Sequence, residues 1–141
     1  MSMFPQTYII FSDGSSRSTQ NLSSASWVIY SSTDELVSIH GICLGRIANN
    51  IVEYNAIIEL LFDAITFLIW ILIVRLDSQL IVLHLNNVYA VRSSTMLRMF
   101  LQVRLLERQF DYIEYQHILK HLNTLTDALE NHVLNRHLQH L

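Results

Sequence analysis

The sequence is short of the residues that form disulfides and tight turns, with one cysteine, one proline and three glycines in 141 residues. The single cysteine, Cys43, excludes a disulfide within the chain and indicates a reducing, intracellular compartment, either the cytoplasm or the nucleus. Cys43 lies in an apolar run with no evident base beside it, so we interpret it as a core residue and not as a nucleophile. Turns must therefore rely on serine and asparagine.

Charge is also scarce, because charged residues make up 15% of the chain and the formal net charge is −3. This balance argues against strong non-specific affinity for nucleic acid, so such binding would have to work through local sites or divalent metal ions. Hydrophobic residues make up 51%, which excludes extensive disorder. We predict a single domain over residues 1–141, long enough for a sizeable core.

No segment of the sequence is typical of a targeting signal or a membrane span. Residues 1–7 lack a basic start followed by an apolar core, so we expect no signal peptide. Residues 64–74 are strongly apolar but too short to cross a bilayer, and Glu59, Asp63 and Arg75 flank them closely. We interpret this stretch as the end of a buried helix followed by the start of a buried strand, with no membrane partner.

The first apolar run of the chain ends abruptly in polar residues. Residues 8–11 are β-branched or aromatic, and Ser12, Asp13, Gly14 and Ser15 follow directly. This pattern predicts a buried strand that breaks into a tight turn. Asp13 would then lie where a central strand opens to solvent, a place suited to holding a cation. For this segment alone, the alternative is that Asp13 caps the turn.

Apolar periodicity predicts nine elements along the chain. We predict strands over residues 8–11, 25–30, 36–44, 71–76 and 112–117, and helices over residues 52–64, 80–85, 95–109 and 124–138. The order predicts an α/β domain with a mixed five-stranded sheet, in which a three-strand antiparallel meander is joined by parallel strands and flanked by helices. Trp27 and Trp70 lie in apolar runs, and we interpret both as core residues and not as base-stacking platforms.

Four carboxylates stand where such a fold would bring side chains together. Asp13 ends the first strand, Glu53 lies in the first helix, Asp77 ends the fourth strand and Asp127 opens the last helix. Strand ends on one edge of a sheet are neighbours, and helices packed on the sheet can direct carboxylates to that edge. Converging carboxylates repel one another unless cations hold them, and oxygen ligands favour Mg²⁺ or Mn²⁺ over zinc. We therefore predict a site for two such ions, an arrangement that supports phosphodiester cleavage.

Five short motifs, spread from the first strand to the last helix, carry a resemblance to a known family. They are Ser12-Asp13-Gly14-Ser15-Ser16, Asn49-Asn50-Ile51-Val52-Glu53-Tyr54, Asp77-Ser78-Gln79, Tyr115-Gln116-His117 and Asn123-Thr124-Leu125-Thr126-Asp127-Ala128-Leu129. With these motifs in this order and at this spacing, the chain resembles the type 1 ribonuclease H family, in particular its retroelement and plant reverse-transcriptase-like branch. The resemblance implies a ribonuclease H-like fold. It also implies a metal-dependent endonuclease that hydrolyses the RNA strand of RNA–DNA hybrids with two Mg²⁺ or Mn²⁺ ions.

The resemblance also implies a role for each matching position. Asp13, Glu53, Asp77 and Asp127 match the family's metal-binding carboxylates, and His117 matches a loop histidine that assists proton transfer or product release. A histidine there could titrate near neutral pH, which suits that role.

A second group of matching positions consists of small polar residues that would contact the hybrid. Asparagine and glutamine amides can donate to and accept from a 2′-hydroxyl or a base edge. The implied substrate-binding residues are Ser15, Asn49, Asn50, Gln79 and Asn123.

The chain departs from the family pattern in ways that predict weak binding of the hybrid. Residues 17–27 contain no glycine, Ala48 replaces the usual threonine before the paired asparagines, and the segment between the third and fourth acids is too short for a basic handle. The remaining dense basic group is Arg92, Arg98, Arg104 and Arg108. The last three lie on one predicted helix, where they either contact phosphates or form its solvated face.

Two functions follow from these observations. The first is the hybrid-cutting enzyme, which the complete set of four acids favours. The alternative is a catalytically weak or inactive retroelement-derived domain that acts as a nucleic-acid-binding or scaffolding module. The negative net charge and the absence of a basic segment between the third and fourth acids favour this alternative. The resemblance also implies a larger reverse transcriptase polyprotein as one setting for the chain.

Overall fold

A computed structural model describes residues 6–17, 22–45 and 49–119, and it describes side chains for residues 6–12, 24–42 and 50–119. These residues form five strands and three helices. In chain order they are β1 (Thr7–Arg17), β2 (Leu22–Ser31), β3 (Leu36–Gly45), α1 (Asn49–Thr66), β4 (Ile71–Leu76), α2 (Gln79–Leu85), α3 (Ser94–Glu107) and β5 (Tyr112–His117). The predicted last helix, over residues 124–138, lies outside the described residues.

The strands form one mixed sheet in the order β3-β2-β1-β4-β5. β2 pairs antiparallel with both β1 and β3, whereas β4 pairs parallel with both β1 and β5. The predicted fold class is therefore confirmed, with an antiparallel meander on one side of β1 and parallel strands on the other. The meander turns at Asp34, which has a φ of 62°, and the Ser31 hydroxyl accepts from the backbone nitrogen of Glu35 at 3.1 Å.

The predicted tight turn at the end of the first strand is wrong. β1 runs past Ser12 and Asp13 to Arg17, because β2 pairs with it along this whole length, from Tyr8 opposite Ser31 to Arg17 opposite Leu22. The turn propensity of this serine- and glycine-containing segment is overridden by the cross-strand ladder. Asp13 therefore lies within a strand, and the alternative in which it caps a turn there is excluded.

The core lies between one face of the sheet and α1, which packs against β1 and β2 while α3 packs against α1. Burial alternates along β4, where Leu72, Val74 and Leu76 are buried and the residues between them are only partly buried. Each fully buried aliphatic side chain of this kind contributes about 1.5–3 kcal/mol relative to exposure. The near-continuous apolar run over residues 71–76 predicts a strand covered on both faces. Among the described residues, one face of β4 is fully covered and the other only partly.

The helix ends follow the local signals in the sequence. Ser78 caps α2 and Ser93 caps α3, each accepting from a backbone nitrogen of the first turn. Asn86 ends α2 as its C-cap, and Asn87 takes a φ of 61°, a conformation that asparagine tolerates better than most residues. The predicted break at these two asparagines is confirmed.

The link between α1 and β4 corrects one prediction about the tryptophans. Trp27 is buried at 3% exposure, as predicted, but Trp70 is 38% exposed beside the exposed Phe67 and Leu68. Leu68 takes a φ of 58° at the helix end, where glycine would avoid the steric cost. The described residues contain no helix that is both long and apolar enough to cross a membrane.

Candidate active site

The parallel pairing of β1, β4 and β5 ends at one level of the sheet, where β4 and β5 stop and β1 continues to Arg17. Ser12 of β1 pairs with Leu76 of β4, and Leu76 pairs with His117 of β5. Asp13 and Asp77 are the next residues after the paired Ser12 and Leu76. The register therefore sets the backbones of two predicted metal ligands side by side, with the predicted proton-transfer histidine on the next strand.

Asp77 lies between two rigid elements. Leu76 before it is the buried end of β4, and Ser78 after it caps α2 by accepting from the Ile81 nitrogen at 3.4 Å. The Asp77 side chain is partly buried. A carboxylate fixed in this way loses little conformational freedom when it binds a cation, which suits a ligand.

Glu53 is held by the start of α1. Its neighbours Val52 and Tyr54 are fully buried, and α1 packs on β1 and β2, so this turn of the helix is anchored to the sheet. The Glu53 side chain is partly buried and interacts with other residues of the protein.

The four-acid site remains a prediction. Among the described side chains, no three histidine, cysteine, aspartate or glutamate residues come together as a metal-binding group. The side chain of Asp13 and the whole of Asp127 lie outside the described part of the chain. The chemistry of the donors fits a hard divalent ion, because the residues that the register and α1 supply are all carboxylates.

The predicted substrate-binding residues fall at helix starts and on the extension of β1. Asn50 and Gln79 are exposed in the first turns of α1 and α2, where amide side chains can reach a bound ligand. Asn49 and Ser15 are placed by their backbones alone, the latter opposite Ser24, and Asn123 lies outside the described residues. His117 is exposed at the end of β5.

The structure also contains a buried polar pair, Tyr54 and His84, that the sequence does not indicate. The Tyr54 hydroxyl and His84 Nδ1 are 2.9 Å apart, and the two rings stack with centroids 6.2 Å apart. Burial raises the pKa of Tyr54 to about 12, although the positive charge of Arg104 works in the opposite direction. Burial lowers the pKa of His84, so the imidazole is neutral near pH 7 and its free nitrogen can accept the Tyr54 proton.

A second network corrects the predicted position of Arg104, which does not lie on a solvated face. Its guanidinium donates to both Glu107 oxygens, at 2.9 and 2.8 Å, and to the Leu85 carbonyl at 2.6 Å. The Tyr115 hydroxyl also donates to Glu107, at 2.6 Å. Arg104 is thus committed to joining α3 with the end of α2, and it is unavailable for a phosphate.

A third polar contact ties the far half of α1 to the meander. Trp27 Nε1 donates to Asp63 Oδ2 at 2.9 Å, and His40 Nδ1 lies 3.1 Å from the same oxygen. The Asp63 side chain is only 10% exposed. Helical periodicity assigned Asp63 to the polar face, and only the pairing of β2 with α1 reveals its partners.

Comparisons with known proteins agree with this fold. A family model described as reverse transcriptase-like matches residues 11–133. Ribonuclease HI of Halobacterium salinarum is 31% identical over 87% of this chain and 62% of its own length. The bifunctional protein Rv2228c of Mycobacterium tuberculosis is 27% identical over 90% of this chain. This chain therefore belongs to the type 1 ribonuclease H family, in its reverse transcriptase-like branch.

Solved structures give the same result. The crystal structure of the Halobacterium salinarum RNase H1 has a TM-score of 0.81 and 30% identity, covering 92% of this chain and 98% of that one. LC11-RNase H1, isolated from compost by a metagenomic approach, was solved in complex with an RNA/DNA hybrid. It has a TM-score of 0.79 and 27% identity over 86% of this chain and 92% of that one. The chain spans about a third of the length of Rv2228c, at 35%.

Proposed function

We propose that this chain is a metal-dependent endonuclease that hydrolyses the RNA strand of RNA–DNA hybrids. The observation that carries the proposal is the register that sets Asp13 and Asp77 side by side, with His117 on the next strand. Membership of the ribonuclease H family supports it. So does the likeness to LC11-RNase H1, which was solved with a hybrid bound.

Asp13, Glu53, Asp77 and Asp127 would hold the divalent ions on which the family generally depends. Two bound ions would supply a nucleophile at neutral pH and a clamp on the attacking and leaving oxygens. The task of the four carboxylates is to balance the positive charge and to fix the positions of the ions. The backbone is held by packing at both Glu53 and Asp77, and this favours a site whose ligands are already in position before the ions bind.

His117 has the chemistry and the exposure to move a proton at this edge. It lies at the exposed end of β5, level with the last residue of β4. An imidazole there can act as a general acid and deliver a proton to the leaving oxygen.

Substrate recognition would fall to the exposed amides at the helix starts. Asn50 and Gln79 can hydrogen-bond to a 2′-hydroxyl or to a base edge, which separates RNA from DNA. Ser15, Asn49 and Asn123 complete the proposed contact set on the strength of their motif positions.

The direct test is cleavage of a labelled RNA–DNA hybrid in Mg²⁺, in Mn²⁺ and in chelator. We expect Asp13→Asn and Asp77→Asn to lower the rate at least roughly 100-fold, more than the loss of an outer-shell partner would cause. Asp111→Asn is the matched control, because Asp111 is exposed just before β5, at the end of that strand opposite to His117. Near-normal cleavage by either site variant would remove that aspartate from the metal site.

One observation favours the alternative function of a non-catalytic scaffolding or nucleic-acid-binding module. α3 exposes Leu97, Leu101 and Leu105 at 41%, 52% and 58%, at a spacing that sets them along one side of the helix. The same assay separates the two functions, because a scaffold would bind the hybrid and leave it intact in every metal. A setting within a larger reverse transcriptase polyprotein stays a prediction.

A further inference from the structure

The bond between Tyr54 and His84 connects the two helices that border the proposed metal site. Tyr54 follows Glu53 in α1. His84 lies in α2, which begins directly after the Ser78 cap that follows Asp77. A hydrogen bond of 2.9 Å between the two rings therefore ties the turn of α1 that carries Glu53 to the short helix that follows Asp77.

The pair is unusual for its surroundings, which are apolar. Tyr54 is fully buried and His84 is 4% exposed, in a core that also contains Ile57, Leu61 and Ile81. A buried hydroxyl or imidazole is costly unless its hydrogen bond is made. Apolar side chains would fill the same space, but their contacts are not directional, whereas a hydrogen bond fixes both distance and angle.

α2 has only seven residues, so its position depends on what holds it at each end. At its far end the Asn86 side chain donates to the Tyr115 carbonyl of β5 at 3.1 Å, and Arg104 of α3 donates to the Leu85 carbonyl. These contacts join α2 to β5 and α3. The Tyr54–His84 bond joins it to α1, and therefore to the helix that carries Glu53.

We propose that Tyr54 and His84 are positioning residues that set the separation between Glu53 and Asp77, and thereby the affinity of the site for divalent ions. This inference rests on the proposed function. Neither ring needs to contact metal or substrate. Their hydrogen bond prevents α2, and the strand end that leads into it, from shifting against the start of α1.

The test measures metal binding by the folded protein without substrate, using calorimetric titration with Mg²⁺ and with Mn²⁺. We expect Tyr54→Phe, which removes only the hydroxyl, to weaken metal binding roughly tenfold, the size of an outer-shell effect. His84→Leu should have a similar effect. His84→Asn, which keeps an amide near the position of Nδ1, should restore part of the affinity. In the cleavage assay, saturating metal should recover most of the rate lost by Tyr54→Phe.

Tyr115→Phe is the matched control, because it also removes a buried tyrosine hydroxyl, here one that donates to Glu107 at 2.6 Å. We expect it to lower the denaturation midpoint about as much as Tyr54→Phe and to leave metal affinity unchanged. If Tyr54 had only a structural role, both variants would have a lower denaturation midpoint and neither would differ from the wild type in metal affinity.

The outcomes separate the two proposals. Equal metal affinity in the wild type, Tyr54→Phe and His84→Leu overturns the positioning role and leaves the proposed function intact. A loss of affinity in Tyr115→Phe as large as in Tyr54→Phe also overturns it. A wild-type protein that binds neither ion overturns the proposed function and the positioning role together.

Discussion

Among the described residues, Tyr54, Tyr115 and His84 are buried rings that can titrate, and each has a defined protonation state at neutral pH. Tyr54 and Tyr115 are held neutral, because burial raises the pKa of both, and the charge of Glu107 adds to the effect at Tyr115. Burial lowers the pKa of His84, which is therefore neutral as well. These three rings therefore form hydrogen bonds without carrying charge at neutral pH, which is the least costly state for a buried polar group.

Raised tyrosine pKa values predict a loss of stability in alkali. The folded Tyr54 has a pKa of about 12 against an ordinary value of 10.0. Its contribution is therefore complete below pH 10 and is lost as the pH rises from 10 to 12. Full ionisation would cost about 3 kcal/mol. Urea unfolding between pH 8 and 12 should show this fall, with a smaller slope in Tyr54→Phe, and an identical slope in the variant would contradict the assignment.

At the residue scale, the sequence predicted apolar burial well and polar partners poorly. The apolar run around Trp27 assigned it to the core, where it lies, although the same reasoning failed for Trp70. Such reasoning could not pair Tyr54 with His84 or Trp27 with Asp63, because these partners are far apart in sequence and meet only through packing of α1. Arg104 shows the same limit, since an arginine in an amphipathic helix gives no sign of a distant acceptor such as the Leu85 carbonyl.

At the scale of elements, one arginine adds polar contacts to the packing of α3 on α1. Arg104 pairs with Glu107, bonds to the end of α2 and lies with its Cζ 4.5 Å from the centre of the Phe100 ring. Glu107 in turn accepts from Tyr115 of β5. One side chain therefore joins α3, α2 and, through Glu107, the edge strand.

Arg104→Ala should destabilise the domain by about 2 kcal/mol, because it leaves partly buried acceptors on Glu107 and Leu85 without their donor. Arg98→Ala is the control, since Arg98 is an exposed arginine on the same helix and should change stability by less than about 0.5 kcal/mol. Chemical denaturation of both variants provides the measurement. Equal midpoints would show that the network around Arg104 contributes no net stability.

The bounds of the elements were predictable where the signals agreed and not where they conflicted. β4 and β5 have the predicted limits. For β4 the reason is clear, because it is a mainly apolar run followed directly by the polar Asp77 and Ser78. β1 extends past its predicted end because Ser15 and Ser16 pair with Ser24 and Ser23. A segment whose own propensity favours a turn becomes a strand when a neighbouring strand supplies the ladder.

At the scale of the whole molecule, the charge distribution limits how tightly nucleic acid can bind. The formal net charge is −3, and Arg104 is taken up by internal contacts. The exposed arginines around α3 are Arg92, Arg98 and Arg108. Few phosphates can therefore be neutralised from this side of the molecule, and few counterions would be released.

Hybrid binding should accordingly depend only weakly on salt. Each phosphate contact contributes roughly −0.9 to the slope of log affinity against log salt concentration, so Arg98→Ala with Arg108→Ala should flatten the slope further. Arg104→Ala should leave the slope unchanged although it lowers stability. Fluorescence anisotropy of a labelled hybrid over a series of salt concentrations measures the slope for the wild type and for each variant. A steep slope that the double variant does not alter would place the phosphate-binding face elsewhere.

The parallel pairing of β1 with β4 also has a kinetic consequence. The β1–β3 meander forms from contacts between neighbouring segments, whereas Ser12 meets Leu76 only after a long loop containing two strands and α1 has closed. Closing that loop lowers the chain entropy before the contacts between β1 and β4 can stabilise the chain. We therefore expect the β1–β4 ladder to form after the rate-limiting step of folding. Val28→Ala in β2 should then slow folding, whereas Val74→Ala in β4, equally buried, should mainly speed unfolding in stopped-flow experiments. A chain still emerging from the ribosome would therefore complete its meander well before the backbones of Asp13 and Asp77 come to lie side by side.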